Sequence, residues 1–275
     1  MFQAGESIDA VLRGQRVVLP QLEVRMLLEH VTRLTRVQTI TQSGRALSAE
    51  EAQQLTALCA RRLAGEPMAY LIGEREFYGL ALQVDAAVLI PRPETELLVE
   101  LALQHLPPRA RVLDMGTGSG AIAIAIAHSR PDVEVWALDA SAAALQVAQR
   151  NAARHDARVR FLQSDWYAAV GAQHFDLIVS NPPYITAGDR HLQEGDLRFE
   201  PLDALTDHAD GLSALRIIVA EADRHLHAGG WLLMEHGYDQ AQAVRGLLDA
   251  AHFSAVQSWR DLAEIERVSG GRLEA

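Results

Sequence analysis

The sequence predicts an α/β fold, in which strand-turn-helix units build an open sheet behind a smaller helical domain. Three observations carry this reading. Short apolar runs of four to six residues recur beyond residue 110, spaced by helix-forming stretches. One of them leads into Gly116-Thr117-Gly118-Ser119-Gly120 and then the apolar run Ala121 to Ala127, the pattern of a strand, a tight turn and a helix. The first 68 residues show helical periodicity instead.

In chain order, residues 1–68 read as a helical bundle. Leu22, Val24, Leu27, Leu28 and Val31 supply an apolar face, and Ser48 with Glu51 forms a capping box that opens a later helix. Cys59 is the single cysteine, which excludes an intrachain disulfide framework and a cysteine-rich zinc site; on an apolar helix face it reads as a small buried hydrophobe. Alternation from Tyr70 to Leu89 around Gly79 predicts a β-hairpin, so residues 69–90 are read as a hairpin linker. Pro91 and Pro93 stiffen the junction to the larger domain, residues 91–275, which begins with a helix from Glu94 to Leu103. Strands are expected over 111–115, 133–138, 158–163 and 175–180, and over 231–234 after Gly229-Gly230 turns the chain.

Candidate chemistry gathers at the ends of these strands, where open α/β sheets bind ligands. Gly116, Gly118 and Gly120, with Thr117 and Ser119 between them, permit positive φ and close approach of a ligand, and the following helix offers free N–H groups. The spacing is not the full G-x-G-x-x-G dinucleotide fingerprint. Asp139 lies 23 positions after Gly116, where an acid reads a ribose hydroxyl pair. Dehydrogenases share that placement, so Asp139 alone does not separate a nicotinamide cofactor from S-adenosylmethionine. A carboxylate at Asp114 repels a pyrophosphate and suits a ligand with a sulfonium and an ammonium group; it equally suits a cap on the glycine turn. Asp165 followed by Trp166 offers an acceptor for an adenine amino group and a surface for its ring.

Asn181-Pro182-Pro183-Tyr184, straight after the run ending at Ser180, forms a site for a planar, weakly nucleophilic nitrogen. An amide or ring NH2 has a delocalised lone pair and attacks a methyl group only if acceptors hold its hydrogens. Asn181 Oδ1 and the Pro182 carbonyl are candidate acceptors, Pro182 and Pro183 fix φ near −65° and remove two donors, and Tyr184 is a candidate stacking surface. The bland reading of the same residues is a turn that closes a strand.

The charge is uneven. Residues 1–75 hold nine Arg and eight acidic residues, so the formal −11 resides in the remaining 200, which carry −12. That balance argues against a phosphate-gripping surface and a direct nucleic-acid partner. The start lacks a basic n-region and no apolar run is long enough to span a membrane, so a soluble, cytoplasmic protein without a membrane partner is expected. The His residues show no metal-ligand spacing and no metal is implied.

On these residues the chain resembles the HemK/PrmC family of class I methyltransferases. Besides Asn181 to Tyr184, the resemblance rests on Gly65-Glu66-Pro67, Gly73, Glu76-Phe77, Ile90-Pro91-Arg92-Pro93-Glu94-Thr95-Glu96, Gln163 to Trp166, Arg198-Phe199-Glu200-Pro201 and Glu235-His236-Gly237. It implies a seven-stranded sheet whose last strand, near Val268, is antiparallel. It also implies methyl transfer from S-adenosylmethionine, leaving S-adenosylhomocysteine, to the glutamine of the Gly-Gly-Gln motif of bacterial peptide-chain release factors. Carried over by residue, it puts the cofactor on Gly116 to Gly120, Asp139, Trp166 and Asn181, and the substrate glutamine on Asn181 to Tyr184. The bundle becomes the candidate substrate-recognition element. Other acceptors for such a clamp are a ribosomal-protein glutamine or a nucleobase amine, and a non-catalytic cofactor-binding adaptor is the reading from a different class. Arg92 faces the acceptor or pairs with Glu94 or Glu96, and His236 reads as a strand-end packing residue.

Overall fold

The computed structural model describes residues 2–14 and 18–274, which divide into two compact units, 1–73 and 74–275. The first unit contains α1 Ile8–Arg13, α2 Gln21–Thr32, α3 Arg36–Thr41, α4 Ala49–Leu63 and α5 Met68–Ile72. Capping boxes open α3 (Thr35 with Gln38) and α4 (Ser48 with Glu51), each satisfying free N–H groups at a helix start. Ile8, Leu27, Leu28 and Leu55 are fully buried at its centre beside Cys59, whose thiol burial pushes up to about 11. Leu22, expected on the apolar face of α2, is exposed. It lies two positions before Val24, about 200° around the helix from it, outside the stripe formed by Val24, Leu27 and Leu28.

The second unit opens with a hairpin shorter than the span 69–90 read from the sequence. Strand β1 Glu74–Phe77 pairs antiparallel with β2 Leu80–Gln83 across Tyr78 and Gly79, both at positive φ as a type I′ turn demands. Residues Met68–Ile72, assigned in part to the hairpin, are helical, because Gly73 at φ +77 ends α5 only there. A 3₁₀ turn, Pro93–Thr95, leads into α6 Glu96–His105, so the helix expected from Glu94 starts later and runs further.

The remaining elements are β3 Arg111–Met115, α7 Ala121–Ser129, β4 Glu134–Asp139, α8 Ala142–Arg154, β5 Val159–Gln163, β6 Phe175–Ser180, α9 Leu202–Leu205, α10 Ser213–Ala222, β7 Leu226–Glu235, α11 Ala241–Ala250, β8 Phe253–Arg260 and β9 Glu266–Leu273. The sheet order is β5-β4-β3-β6-β7-β9-β8. β9 is antiparallel to both of its neighbours and the other pairs are parallel, giving the seven-stranded sheet with its last strand reversed. Val112, Leu113, Leu177, Ile178, Leu232 and Leu233 are fully buried, because α6 and α7 cover one face and α10 and α11 the other. The hairpin is no free tether: Asn151 on α8 accepts from the Gln83 N–H and donates to the Gln83 carbonyl.

Gly229-Gly230 does not turn the chain before a strand but lies inside β7, where pairing with β6 shifts register between Phe175 and Leu177. A Cβ on Gly230 would stand 2.9 Å from the His227 carbonyl oxygen and 3.1 Å from that of Asp176. The glycine admits a close backbone approach at a bulge. Strand order reverses at β3, so the carboxyl ends of β3 and β6 flank the switch point where such sheets bind ligands.

Candidate active site

Beyond β3, the N–H groups of Gly116 and Thr117 both donate to the Leu138 carbonyl at the end of β4, which folds the glycine turn over the neighbouring strand. Gly118 N–H donates to Asp139 Oδ2 at 2.9 Å, and Ser141 N–H to Asp139 Oδ1 at 2.8 Å. Asp139 therefore ties the turn to the start of α8, and burial raises its pKa despite those two donors. Gly116 and Gly118 adopt φ of +71 and +56, and a Cβ on either would meet no protein atom within 4 Å. The space over them is a cavity of about 390 Å³, also bounded by Asp139, Asp165, Trp166 and Asn181.

Asp114 does not line this cavity. It is fully buried beneath the turn, where Oδ2 accepts from the Thr117 hydroxyl at 2.6 Å and from Ala123 N–H at 3.2 Å. Burial pushes its carboxyl up to about 7. Of the two readings of Asp114, the geometry is that of a cap holding the turn to the start of α7. Thr117 and Ser119 are likewise buried, and Gly120 serves helix packing: at φ +84, its Cβ would meet Ile124 Cδ1 at 2.8 Å and Ala148 Cβ at 3.1 Å.

Trp166 takes φ +44, which a non-glycine residue holds only where its surroundings fix it. Ser164 does so, its hydroxyl donating to the Trp166 carbonyl and accepting from Ala169 N–H. The cavity wall includes residues that sequence reasoning missed. Val88 and Leu89 follow the hairpin, and Pro201, Asp203 and Ala204 come from the start of α9. The only sequence signal for the latter was Arg198 to Pro201. Arg92 pairs with Glu200 and with neither Glu94 nor Glu96, and the buried Glu200 also accepts from Ile90 N–H. Glu96 is occupied by the Tyr78 N–H. The ion pair thus ties together two segments whose neighbouring residues, Leu89 and Pro201, border the cavity.

At the end of β6, Ser180 donates to the Met115 carbonyl and locks this strand to β3. Asn181 Nδ2 donates to Thr95 Oγ1 at 3.1 Å, which leaves its Oδ1 free. Pro183 joins Asn181 in the cavity wall, whereas Pro182 is buried and absent from it. Tyr184, expected as a stacking surface, also stays out of the wall and donates its hydroxyl to Glu235 Oε1 at 3.2 Å. Burial and the Glu235 charge raise its phenol pKa, so it remains a neutral donor. Gln240 Nε2 donates to the carbonyls of Tyr184 and Gly211, and Gln240 Oε1 accepts from Gly237 N–H. His236 is fully buried between the Gly237 carbonyl and Ser269 Oγ, with its pKa lowered by burial, a neutral packing residue at the end of β7.

Two family models match the chain, the PrmC N-terminal domain over residues 3–73 and the methyltransferase small domain over residues 93–195. The release factor glutamine methyltransferase of Burkholderia pseudomallei (strain K96243) is 56% identical over 264 residues, covering 93% of each chain. That of Neisseria gonorrhoeae (strain ATCC 700825 / FA 1090) is 51% identical over 256 residues, 92% of this chain and 94% of its own. Among solved structures, the T. thermophilus 16S rRNA N2 G1207 methyltransferase, determined with AdoMet and guanosine, superposes with a TM-score of 0.55 at 22% identity. It covers 73% of this chain and 50% of its own, a likeness of fold.

Proposed function

This chain belongs to the release factor glutamine methyltransferase family and is a methyltransferase, and from that premise we propose its substrate and the residues that act on it. The acceptor is the side-chain amide nitrogen of the glutamine in the Gly-Gly-Gln motif of bacterial release factors. The observation that carries the site assignment is Asn181: its Nδ2 is spent on Thr95 while the residue borders the cavity over the glycine turn. An amide anchored through Nδ2 to Thr95 keeps Oδ1 available as an acceptor, which suits an NH2 substrate group. The net −12 on residues 76–275 favours a protein acceptor over a base in a phosphate-rich duplex. No helix among the described residues is long and apolar enough to cross a membrane. A release factor would meet this enzyme in the cytoplasm.

The cavity fits S-adenosylmethionine by its donors and its space. Gly116 and Gly118 leave room for a ligand against the backbone, Asp139 offers remaining lone pairs to ribose hydroxyls, and Asp165 with Trp166 suits adenine. Bound there, S-adenosylmethionine supplies the methyl group as an electrophile. We assign Asn181 Oδ1 to one amide hydrogen of the glutamine and the Pro182 backbone carbonyl to the other, although the Pro182 ring itself is buried outside the cavity wall. Transfer of that methyl to the held nitrogen would leave S-adenosylhomocysteine, and the proton of the N-methylated amide would pass to water. The protein forms no covalent intermediate. Its contribution is orientation, desolvation and acceptors for the developing positive charge.

The direct test incubates the protein with methyl-labelled S-adenosylmethionine and a purified release factor, then maps the label by peptide mass spectrometry. Label is expected on the glutamine of Gly-Gly-Gln and absent from a Gly-Gly-Ala control; label elsewhere, or none, contradicts the assignment. Asp139→Ala is expected to weaken S-adenosylmethionine binding by about 10- to 100-fold, the scale of hydrogen bonds to a charged group. Titration calorimetry checks this. An unchanged Kd would remove Asp139 from the ribose site.

A further inference from the structure

Two segments far apart in sequence each run from the cavity over the glycine turn to the loop of residues 181–184. Residues 88–95 begin with Val88 and Leu89 in the cavity wall and end at Thr95, whose Oγ1 accepts from Asn181 Nδ2 at 3.1 Å. Residues 200–205 begin with Glu200, place Pro201 and Ala204 in the same wall, and end at Leu205, whose carbonyl accepts from the Ile185 N–H just beyond Tyr184 at 3.0 Å. Glu200 joins the two. Its side chain has no solvent exposure, its Oε2 accepts from Ile90 N–H at 3.1 Å, and its Oε1 accepts from Arg92 Nη2. We propose that Arg92 and Glu200 hold these segments as one frame around the site, and so are positioning residues for S-adenosylmethionine binding and for methyl transfer.

This role rests on the cavity being the cofactor site and on Asn181 being the amide clamp. The first segment lacks a backbone ladder that would fix it: residues 88–92 belong to no helix or strand, and Pro91 and Pro93 bring no N–H. Its Arg92 carbonyl accepts from Thr95 N–H at 3.1 Å, so a displacement at Arg92 reaches the residue that holds Asn181 within one turn. Glu200 is fixed from its own side, where its N–H donates to the Leu197 carbonyl. Ile90 N–H and Arg92 Nη2 are both donors. Serving them together takes two acceptor oxygens, which a carboxylate has and an amide of the same shape does not. The Arg92 side chain is 30% exposed and keeps water if its partner is lost, whereas the buried carboxylate without Arg92 is left uncompensated.

A shift in either segment is felt at both of its ends. Leu89 and Pro201 are the chain neighbours of Ile90 and Glu200 and move with them, so the shape of the cavity changes. Thr95 and Leu205 carry the same shift to the two ends of the 181–184 loop. Loss of the link is therefore expected to weaken cofactor binding and, at saturating cofactor, to slow transfer. A contact that served stability alone would lower the amount of folded enzyme and leave both constants of the folded fraction unchanged.

The experiment uses wild type, Glu200→Gln, Arg92→Met, Arg92→Lys and Asn181→Ala. Titration calorimetry gives Kd and binding stoichiometry for S-adenosylmethionine, and single-turnover assays give the rate of release-factor methylation at saturating S-adenosylmethionine. Glu200→Gln keeps the shape and strands no buried charge; it is expected to raise Kd about 10-fold and to lower the rate about 10- to 100-fold, with the binding stoichiometry retained. Arg92→Met is expected to show the same losses. Because Arg92 meets Glu200 through one nitrogen, Arg92→Lys can restore the pair and should bring both constants to within about threefold of wild type. Wild-type Kd and rate in Glu200→Gln and Arg92→Met, with Asn181→Ala slowed at least about 100-fold, overturn the positioning role and leave the clamp standing. Lowered stoichiometry with an unchanged Kd and an unchanged rate per bound site also overturns it, since that marks a defect of folding. So do losses in Arg92→Lys as deep as those in Arg92→Met, which would show that the charge pair does not hold the frame. A wild-type rate in Asn181→Ala would instead remove the clamp on which the proposal rests.

Discussion

Replacing Asn181 with alanine is expected to lower release-factor turnover by at least about 100-fold, the cost of losing one preorganised polar contact at a reacting centre. The amide nitrogen of a glutamine is a poor nucleophile because its lone pair is shared with the carbonyl. Its two hydrogens must be held so that the remaining electron density points along the line of attack. Under the mechanism proposed above, alanine removes one of the two acceptors, and it vacates part of the cavity wall. Cofactor affinity should fall far less than rate, since Gly118, Asp139 and Trp166 keep their places through bonds that do not involve Asn181. Single-turnover measurements at saturating S-adenosylmethionine separate the two effects. A variant that methylates at the wild-type rate would exclude Asn181 from the chemistry.

The parts of this site that were legible in the sequence are those whose chemistry is local. A glycine turn after a strand, an acid after the next strand and Asn-Pro-Pro-Tyr after another each contain their own reason within a few residues. The supporting contacts are not local. Asn181 meets Thr95 across 86 positions, Tyr184 meets Glu235 across 51 and Arg92 meets Glu200 across 108. Thr95, Glu200 and Glu235 stood in motifs that the family resemblance brought out, but nothing in their spacing told which partners they would find. Asp114 shows a second limit. A carboxylate beside a glycine turn suggests a ligand contact, yet the direction of its side chain is set by the buried face of β3, and there it meets Thr117 and Ala123. Gly229-Gly230 shows a third. A glycine pair reads as a turn from sequence, and only the close carbonyls of His227 and Asp176 reveal a bulge within a paired strand.

Gly211 shows what that blindness conceals, and its replacement by alanine is expected to have the second large effect. Gly211 sits at φ +79, which already disfavours an L side chain by about 1–2 kcal/mol. Its Cβ would fall against the Tyr184 carbonyl oxygen and 2.8 Å from Gln240 Nε2, the donor that holds this same carbonyl. The loop around Gly211 has little freedom to yield, because Asp207 accepts from the N–H groups of Ala209, Gly211 and Ser213. The strain therefore passes to Tyr184 and the prolines before it. A shift of about 1 Å in a positioning group can cost about 100-fold in rate, and a loss of that size in kcat is expected for Gly211→Ala. S-adenosylmethionine affinity should hold, since neither Gly211 nor Gln240 lines the cavity. Gly246→Ala is the matched control. It lies within α11 with no atom within 4 Å of its Cβ, and there alanine should leave kcat unchanged and raise stability by about 0.5–1 kcal/mol. If Gly211→Ala and Gly246→Ala turned over release factor equally well, the Asn181 to Tyr184 loop would not be held in place by the contact with Gly211.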